Sequence, residues 1–304
     1  MHHIRSDNFT YKLSLSLLIM MYLSPFFGTG TSTFNFEGIT YNMREATHDY
    51  NIISLPIDIT KKLGKSDSCM DTSNAKSDLD NMVMPNSLKS CIYDDFEDGI
   101  YDLDNDAISP NGRWRSVWDG HGAMGVKTDD DGNNIFFLNP KAAERKNDTY
   151  SSLVRSVNNF TDFELTLNIR TDKQLRLNDP PNSWEAGWVF FRYGDGFHYY
   201  WLVVKSNGVE LGKKDCDNCV DPFRGQIFLK QLQTPTLQTG KWSTWNIQAI
   251  GNQIKVTIDG NQLIDYTDNT MSKKLRGGSI ALYSEDANVV YDNVYITLLS
   301  NFTA

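Results

Sequence analysis

Along most of its second half the chain alternates hydrophobic and polar residues with period two, in runs of six to eleven residues bounded by Gly, Asn and Asp. That period predicts half-buried β-strands. The runs are Phe163 to Thr171, Gly208 to Lys214, Gln226 to Gln233, Ser243 to Ile250, Gln253 to Ile258, Gln262 to Thr267, Gly278 to Ser284 and Asn288 to Leu298. Gly251-Asn252 and Asp259-Gly260-Asn261 have the composition of hairpin turns. No helical period lasts beyond one turn. Some ten short strands, counting the two arms described next, predict an all-β fold, a two-sheet antiparallel β-sandwich.

The densest stretch is WEAGWVFFRYGDGFHYYWLVVK, from Trp184 to Lys205, two aromatic arms around Gly194-Asp195-Gly196. Taking those three residues as the loop pairs Tyr193 with Phe197, Arg192 with His198, Phe191 with Tyr199, Val189 with Trp201 and Glu185 with Lys205. Alternation then sorts the side chains into two faces. Trp184, Ala186, Trp188, Phe190, Tyr200, Leu202 and Val204 form an expected core face, joined at the turn by Arg192 and His198. Glu185, Val189, Phe191, Tyr193, Phe197, Tyr199, Trp201, Val203 and Lys205 form an expected ligand face.

The first ninety residues are of other material. Leu13 to Phe27 is an apolar run behind a mildly cationic start and ahead of small residues, so residues 1–32 read as a signal peptide, with an uncleaved anchor as the alternative. Residues 33–92 are rich in Lys, Asp, Ser and Asn and read as a flexible linker or pro-segment in which NIISLPIDI forms at most one strand. Residues 93–304 are the sandwich domain. Export places the chain outside the cytoplasm, secreted or at the cell surface, with no stable membrane insertion after cleavage. Sequons stand at Asn8, Asn147, Asn159 and Asn301.

Charge and cysteines narrow the chemistry. The net charge of −9 argues against a nucleic-acid partner, which needs a basic face. The 4 cysteines suit disulfides in an exported protein. Cys216 and Cys219 are expected to staple a polar loop, a redox CxxC being the lesser alternative, and Cys69 and Cys91 could close another. Asp102, Asp104 and Asp106 fail as an EF-hand because Ala107 replaces the turn glycine. Asp129-Asp130-Asp131-Gly132 reads as a solvated turn.

The motifs FEDG (Phe96 to Gly99), Trp114, Trp118, FTDFELTLNIRT, the central hairpin, GKWSTWNIQAIGNQIKVTIDGNQLIDYTD and GGSIALYSEDANVVYDNVYI occur in one order. In that order the chain resembles the concanavalin A-like lectin/glucanase jelly roll. More narrowly it is similar to secreted family-16 glycoside-hydrolase-like and 3-keto-disaccharide hydrolase-type domains, over Tyr93 to Leu298. The resemblance implies a carbohydrate-related function. It also implies a structural calcium joining first and last strands through Asp292 with Glu97 or Asp98. The ExDxxE strand of true family-16 glucanases does not occur here.

Sugar rings present apolar C–H faces edged by hydroxyls, so their sites need flat aromatic platforms beside charged or amide groups. Tyr193, Tyr199 and Trp201 are the candidate platforms, on a concave sheet. Lys205, Glu210 and Lys213 are the polar contacts, and Arg192 stands at the rim. Three readings stay open: a binding module for poly- or oligosaccharide, a hydrolase or lyase on the same face, and an adhesion domain. For an enzyme, Glu185 and His198 are the candidate catalytic groups, with Glu210 the best second carboxyl for a pair about 5–10 Å apart.

Overall fold

The computed structural model describes residues 32–36, 39–43, 91–145, 148–219 and 225–299. The signal peptide, the NIISLPIDI stretch, Cys69 and the sequons at Asn8, Asn147 and Asn301 lie outside them. The chain divides into two units, residues 1–62 and 63–304. In the first, β1 (Ser32–Phe36) and β2 (Ile39–Met43) form an antiparallel hairpin with Ser32 opposite Met43. Phe34, Phe36 and Tyr41 supply β-propensity to this hairpin, whose arms of five residues are too short a period to read from sequence.

The second unit is a two-sheet antiparallel sandwich. Its nine-stranded sheet runs β16 (Asn261–Thr267), β15 (Gln253–Ile258), β14 (Ser243–Ile250), β9 (Phe163–Gln174), β18 (Ala287–Leu298), β7 (Asn134–Asn139), β6 (Ala123–Thr128) and β4 (Tyr101–Asp102), with β3 (Cys91–Asp94) also pairing β18. The seven-stranded sheet runs β13 (Gln226–Leu232), β12 (Gly208–Asp215), β11 (His198–Lys205), β10 (Gly187–Asp195), β17 (Ser279–Glu285), β8 (Ser151–Ser156) and β5 (Trp114–Trp118).

The two sheets bury their faces differently. In β9 burial alternates: Phe163, Leu165, Leu167 and Ile169 enter the core while Glu164, Thr166, Asn168 and Arg170 point out. β10, β11 and β12 are buried at nearly every position. Such strands are covered on both sides. On one side they meet the main core, contributing Val189, Phe191, Tyr200, Leu202, Val204, Val209 and Leu211. On the other lies a second cluster of Ala186, Trp188, Phe190, Tyr193, Trp201, Val203, Leu153 and Ala281, turned away from the nine-stranded sheet.

The central hairpin departs from the expected register. Trp188 pairs with Val203, Phe190 with Trp201 and Phe191 with Tyr200, and after a bulge Asp195 pairs with His198. The two turn residues are therefore Gly196 and Phe197. The bulge carries Arg192 at φ 49°. A one-residue slip sends every side chain of an arm to the opposite face. So Trp188 and Phe190 face outward, and Val189 and Phe191 face the core, the reverse of the expectation for that arm. The β11 arm keeps its expected faces.

Candidate functional site: an outward aromatic face

The register sets the outward side chains of the seven-stranded sheet into rows. One row is Gln231, Glu210, Val203, Trp188, Tyr283 and Leu153; the next is Phe228, Gly212, Trp201, Phe190, Ala281 and Arg155. Seven rings form a continuous layer across them. Phe190 stacks on Tyr199 at 4.6 Å and on Tyr283 at 4.7 Å between centroids. Trp188 meets Tyr283 edge-on at 5.9 Å, Trp201 meets Phe228 edge-on at 6.0 Å, and Tyr193 lies 5.9 Å from Tyr199.

Gly212 makes the layer possible. A Cβ there would stand 2.1 Å from the Trp201 ring, so the indole lies flat over the bare backbone. Trp201, Trp188 and Phe190 are buried by their neighbours, Tyr199 and Tyr283 are half-buried, and Phe228 is 56% exposed. Burial pushes the Tyr193 hydroxyl up to about 12 and the Tyr199 and Tyr283 hydroxyls higher still. These phenols stay neutral, as hydrogen-bonding groups should.

Polar groups border the rings. Glu210 is buried and fully engaged: Trp201 Nε1 donates to Oε1 at 3.1 Å, while Lys205 Nζ and Gln231 Nε2 donate to Oε2 at 2.5 and 2.9 Å. At the far corner Tyr283 donates to Glu285 Oε2 at 2.8 Å. Burial, with a smaller push from Asp286 and Glu185, raises the Glu285 carboxyl to about 7. Glu285 and Tyr283 are functional candidates that the sequence reading missed. The Tyr-x-Glu spacing in β17, which puts both on one face, was the available signal.

The residues singled out from sequence divide into two groups. Tyr193, Tyr199, Trp201, Lys205 and Glu210 come together on the outward face. Glu185, Arg192, His198 and Lys213 do not. Glu185 does not pair with Lys205: it is wholly buried, with Arg176 Nε donating to Oε1 at 2.5 Å and Asn182 Nδ2 at 2.8 Å. Arg176 also holds Asp286 at 2.8 Å, and Glu185 Oε2 has no hydrogen-bond partner among the described residues. Arg192, placed by the bulge, is buried and donates to Thr161 O and Gly251 O at 2.9 and 2.7 Å, so it is no rim residue. His198 is buried, Nδ1 lying 2.9 Å from Asp195 Oδ1 and Nε2 3.0 Å from Asp217 Oδ1, so neither ring nitrogen is left for a substrate. Lys213 lies on the core side, paired with Asp268 at 2.8 Å beside Tyr200.

At the junction of β3 and β18, Asp292 is buried and its carboxyl raised, by burial first and by Asp95 and Glu97 after. This oxygen-rich corner suits a hard cation. The named set is not assembled, however. Asn133 Nδ2 and Asn293 Nδ2 donate to Asp292 Oδ2 at 3.0 and 2.9 Å, and Asn134 fills Glu97. Asp98 turns away to Arg113 Nη1, 3.1 Å distant. Among the described residues no three His, Cys, Asp or Glu side chains stand together at metal distance. Cys216 and Cys219 form the expected disulfide, their Cα atoms 5.7 Å apart; the Cys69–Cys91 pairing falls outside the described residues. Among those residues no helix is long and apolar enough to cross a membrane.

None of the curated proteins matches this sequence. Many solved structures are similar in shape, three of them as follows. Carbohydrate-binding module CBM66 from Bacillus subtilis is 20% identical, with 60% of this chain and 92% of the module covered and a TM-score of 0.42. The Bacillus licheniformis β-glucanase is 14% identical, over 66% and 99%, with a TM-score of 0.42. A Bacillus subtilis protein with a galectin-like fold is 13% identical, over 68% and 98%, with a TM-score of 0.41. A family model, the 3-keto-alpha-glucoside-1,2-lyase-like domain, matches residues 107–297, more than half of the chain. The chain belongs to that family.

Proposed function

We propose that the outward aromatic face of the seven-stranded sheet binds a poly- or oligosaccharide. One observation carries this reading: the sheet spends seven rings on the side away from its core, where a solvated sheet normally alternates to polar residues. Trp188, Phe190, Tyr193 and Trp201 are closed off by their neighbours, so the area left for a ligand with apolar faces is that of Phe228, Tyr199 and Tyr283. Sugar C–H faces suit such rings, and the Lys205–Glu210–Gln231 border and the Tyr283–Glu285 corner offer partners to ring hydroxyls. The family's description, a 3-keto-alpha-glucoside-1,2-lyase-like domain, supports a carbohydrate-related role without choosing between binding and catalysis.

Catalysis on this face is the second reading, favoured by Glu285. A carboxyl held near 7 at the rim of a binding face can carry a proton to a departing glycosidic oxygen at neutral pH. Glu185 and His198, the groups expected from sequence, lie buried and engaged elsewhere. The proposal retains export, supported by the Cys216–Cys219 disulfide, and a structural calcium at the Asp292 corner, supported by its desolvated carboxyl beside Asp95 and Glu97.

A glycan array read with wild type, Phe228→Ala and Tyr199→Ala tests the binding reading. Phe228 is mostly exposed, so its removal leaves the fold intact. Loss of one stacking platform should weaken binding by about 1–3 kcal/mol, as ring stacking elsewhere does. Wild-type binding that both variants retain in full would refute the site. Product release abolished in Glu285→Gln, with binding kept, separates enzyme from module.

A further inference from the structure

Two arginines at the β5 edge of the same face, Arg115 and Arg155, stand opposite each other with no carboxylate partner among the described residues. The register sets Arg115 directly opposite Arg155 across β5 and β8, and Arg155 opposite Ala281 of the aromatic cluster. Both side chains leave the sheet on its outward side, as Leu153 and Val117 do. Arg155 Nη1 donates to Ser279 Oγ at 3.1 Å and Arg115 Nη1 to the Asp106 carbonyl at 3.0 Å. Neither forms an ion pair among the described residues. By contrast Arg113, Arg170, Arg176 and Arg192 each have a carboxylate within 3.4 Å.

Like charges directly opposite on one sheet face destabilise it. The chain does not lack acids, having 38 against 29 bases. Among the described residues each guanidinium group makes one hydrogen bond with its five donors, and both groups are only half-buried, open to solvent beside the rings. Arg155 also lies near enough to Tyr193 to oppose the upward push of burial on that phenol, which puts its charge against the aromatic layer.

Resting on the carbohydrate-binding reading, we propose that Arg115 and Arg155 form an anion subsite at the edge of the aromatic face, and that the sugar bound there carries a carboxylate or a sulfate. Two adjacent forks match the paired oxygens of either group, and such charge-assisted pairs are the strong hydrogen bonds of protein surfaces. An acidic sugar then lays its ring on Tyr199 and Tyr193 while its anion lies between the guanidinium groups, relieving their repulsion.

The test compares calorimetric titrations of de-esterified oligogalacturonate with its methyl-esterified twin, and of dextran sulfate oligosaccharides with dextran. Wild type should prefer an anionic ligand over its neutral twin by about tenfold or more, with the preference shrinking as salt rises. The carboxylate and sulfate arms identify which anion is read. Arg155→Gln and Arg115→Gln should each remove most of the preference, bringing affinity for the anionic ligand down toward that of its neutral twin. Equal affinity for charged and neutral twins, or a preference that survives both substitutions, overturns the subsite while leaving the aromatic site standing. If wild type binds none of the four sugars, the carbohydrate reading itself fails. Inorganic sulfate then decides the anion site: a rise in Tm over chloride at equal ionic strength that the double variant lacks supports it, and an identical rise in both overturns it.

Discussion

Glu285→Gln should make the protein more stable at pH 8 and leave it unchanged at pH 4.5. The carboxyl rises from an ordinary 4.5 to about 7 because its neighbours take it out of water and Asp286 and Glu185 add negative charge. A raised acid keeps its proton in the native state after the unfolded chain has released it. Its contribution to stability is therefore full below pH 4.5 and lost as pH climbs to about 7. The full difference corresponds to about 3 kcal/mol, and since Glu285 is not wholly enclosed, about 2 kcal/mol is expected. Glutamine removes the charge and keeps an acceptor for the Tyr283 hydroxyl, so packing and hydrogen bonding persist. Asp94, Asp286 and Asp292 are raised by burial too and tilt stability in the same sense. Asp94 and Asp292 remain in the variant and cancel in the difference curve, which reports Glu285 together with its mutual repulsion with Asp286. Urea unfolding of both proteins at steps from pH 4 to 8 measures it. Parallel curves across pH 4.5–7, or a variant less stable than wild type at pH 8, would refute the assignment of that proton.

Three further outcomes follow from the packing. Gly212→Ala drives a methyl into the Trp201 ring at 2.1 Å and should cost about 1–3 kcal/mol with loss of indole protection from fluorescence quenchers; an unchanged quenching constant would show that the ring does not lie there. Arg176→Met leaves Glu185 and Asp286 buried without their cation, an expected loss of about 3–5 kcal/mol in chemical unfolding, and the triple change that also makes both acids amides should recover most of it. For the proposed calcium, a chelator should lower Tm in wild type and have no effect in Asp292→Ala; a wild-type melting curve indifferent to chelator ends that part of the proposal.

Much of the fold is legible because the period-two signal is local. β14 and β15 begin and end at the residues the alternation indicates, and β12, β16, β17 and β18 within one residue of it. The strands from β3 to β8 resist the same reading. Tyr101–Asp102 is too short for any period, and Ile135 to Leu138 is buried at every position, so alternation vanishes. The ion-pair partners are illegible for another reason. Arg176 meets Asp286 across 110 residues and Lys213 meets Asp268 across 55, separations that topology closes and composition does not encode.

The central hairpin shows how one backbone angle decides a site. Counting outward from Gly194-Asp195-Gly196 assumes that every residue of the arm takes part in the ladder. Arg192 at φ 49° does not, and the bulge it makes absorbs a register step between Phe191 and Asp195. Nothing in the local sequence marks an arginine for that conformation, which it adopts at a cost. What holds it is distant: the guanidinium is fixed by carbonyls of Thr161 and Gly251, on loops at the ends of β9 and β14. A Cβ on Gly278 would strike the Arg192 backbone carbon at 2.5 Å, so the chain must enter β17 with bare backbone there. Tertiary contacts thus pay for the bulge, and the bulge moves Trp188 and Phe190 to the outside. Without it those two rings would join the core, and the remaining five, Tyr193, Tyr199, Trp201, Phe228 and Tyr283, would lose the Phe190 ring that stacks on both Tyr199 and Tyr283. The aromatic face is therefore a product of both arms. Only the β11 arm, where no bulge intervenes, declares its half in the sequence.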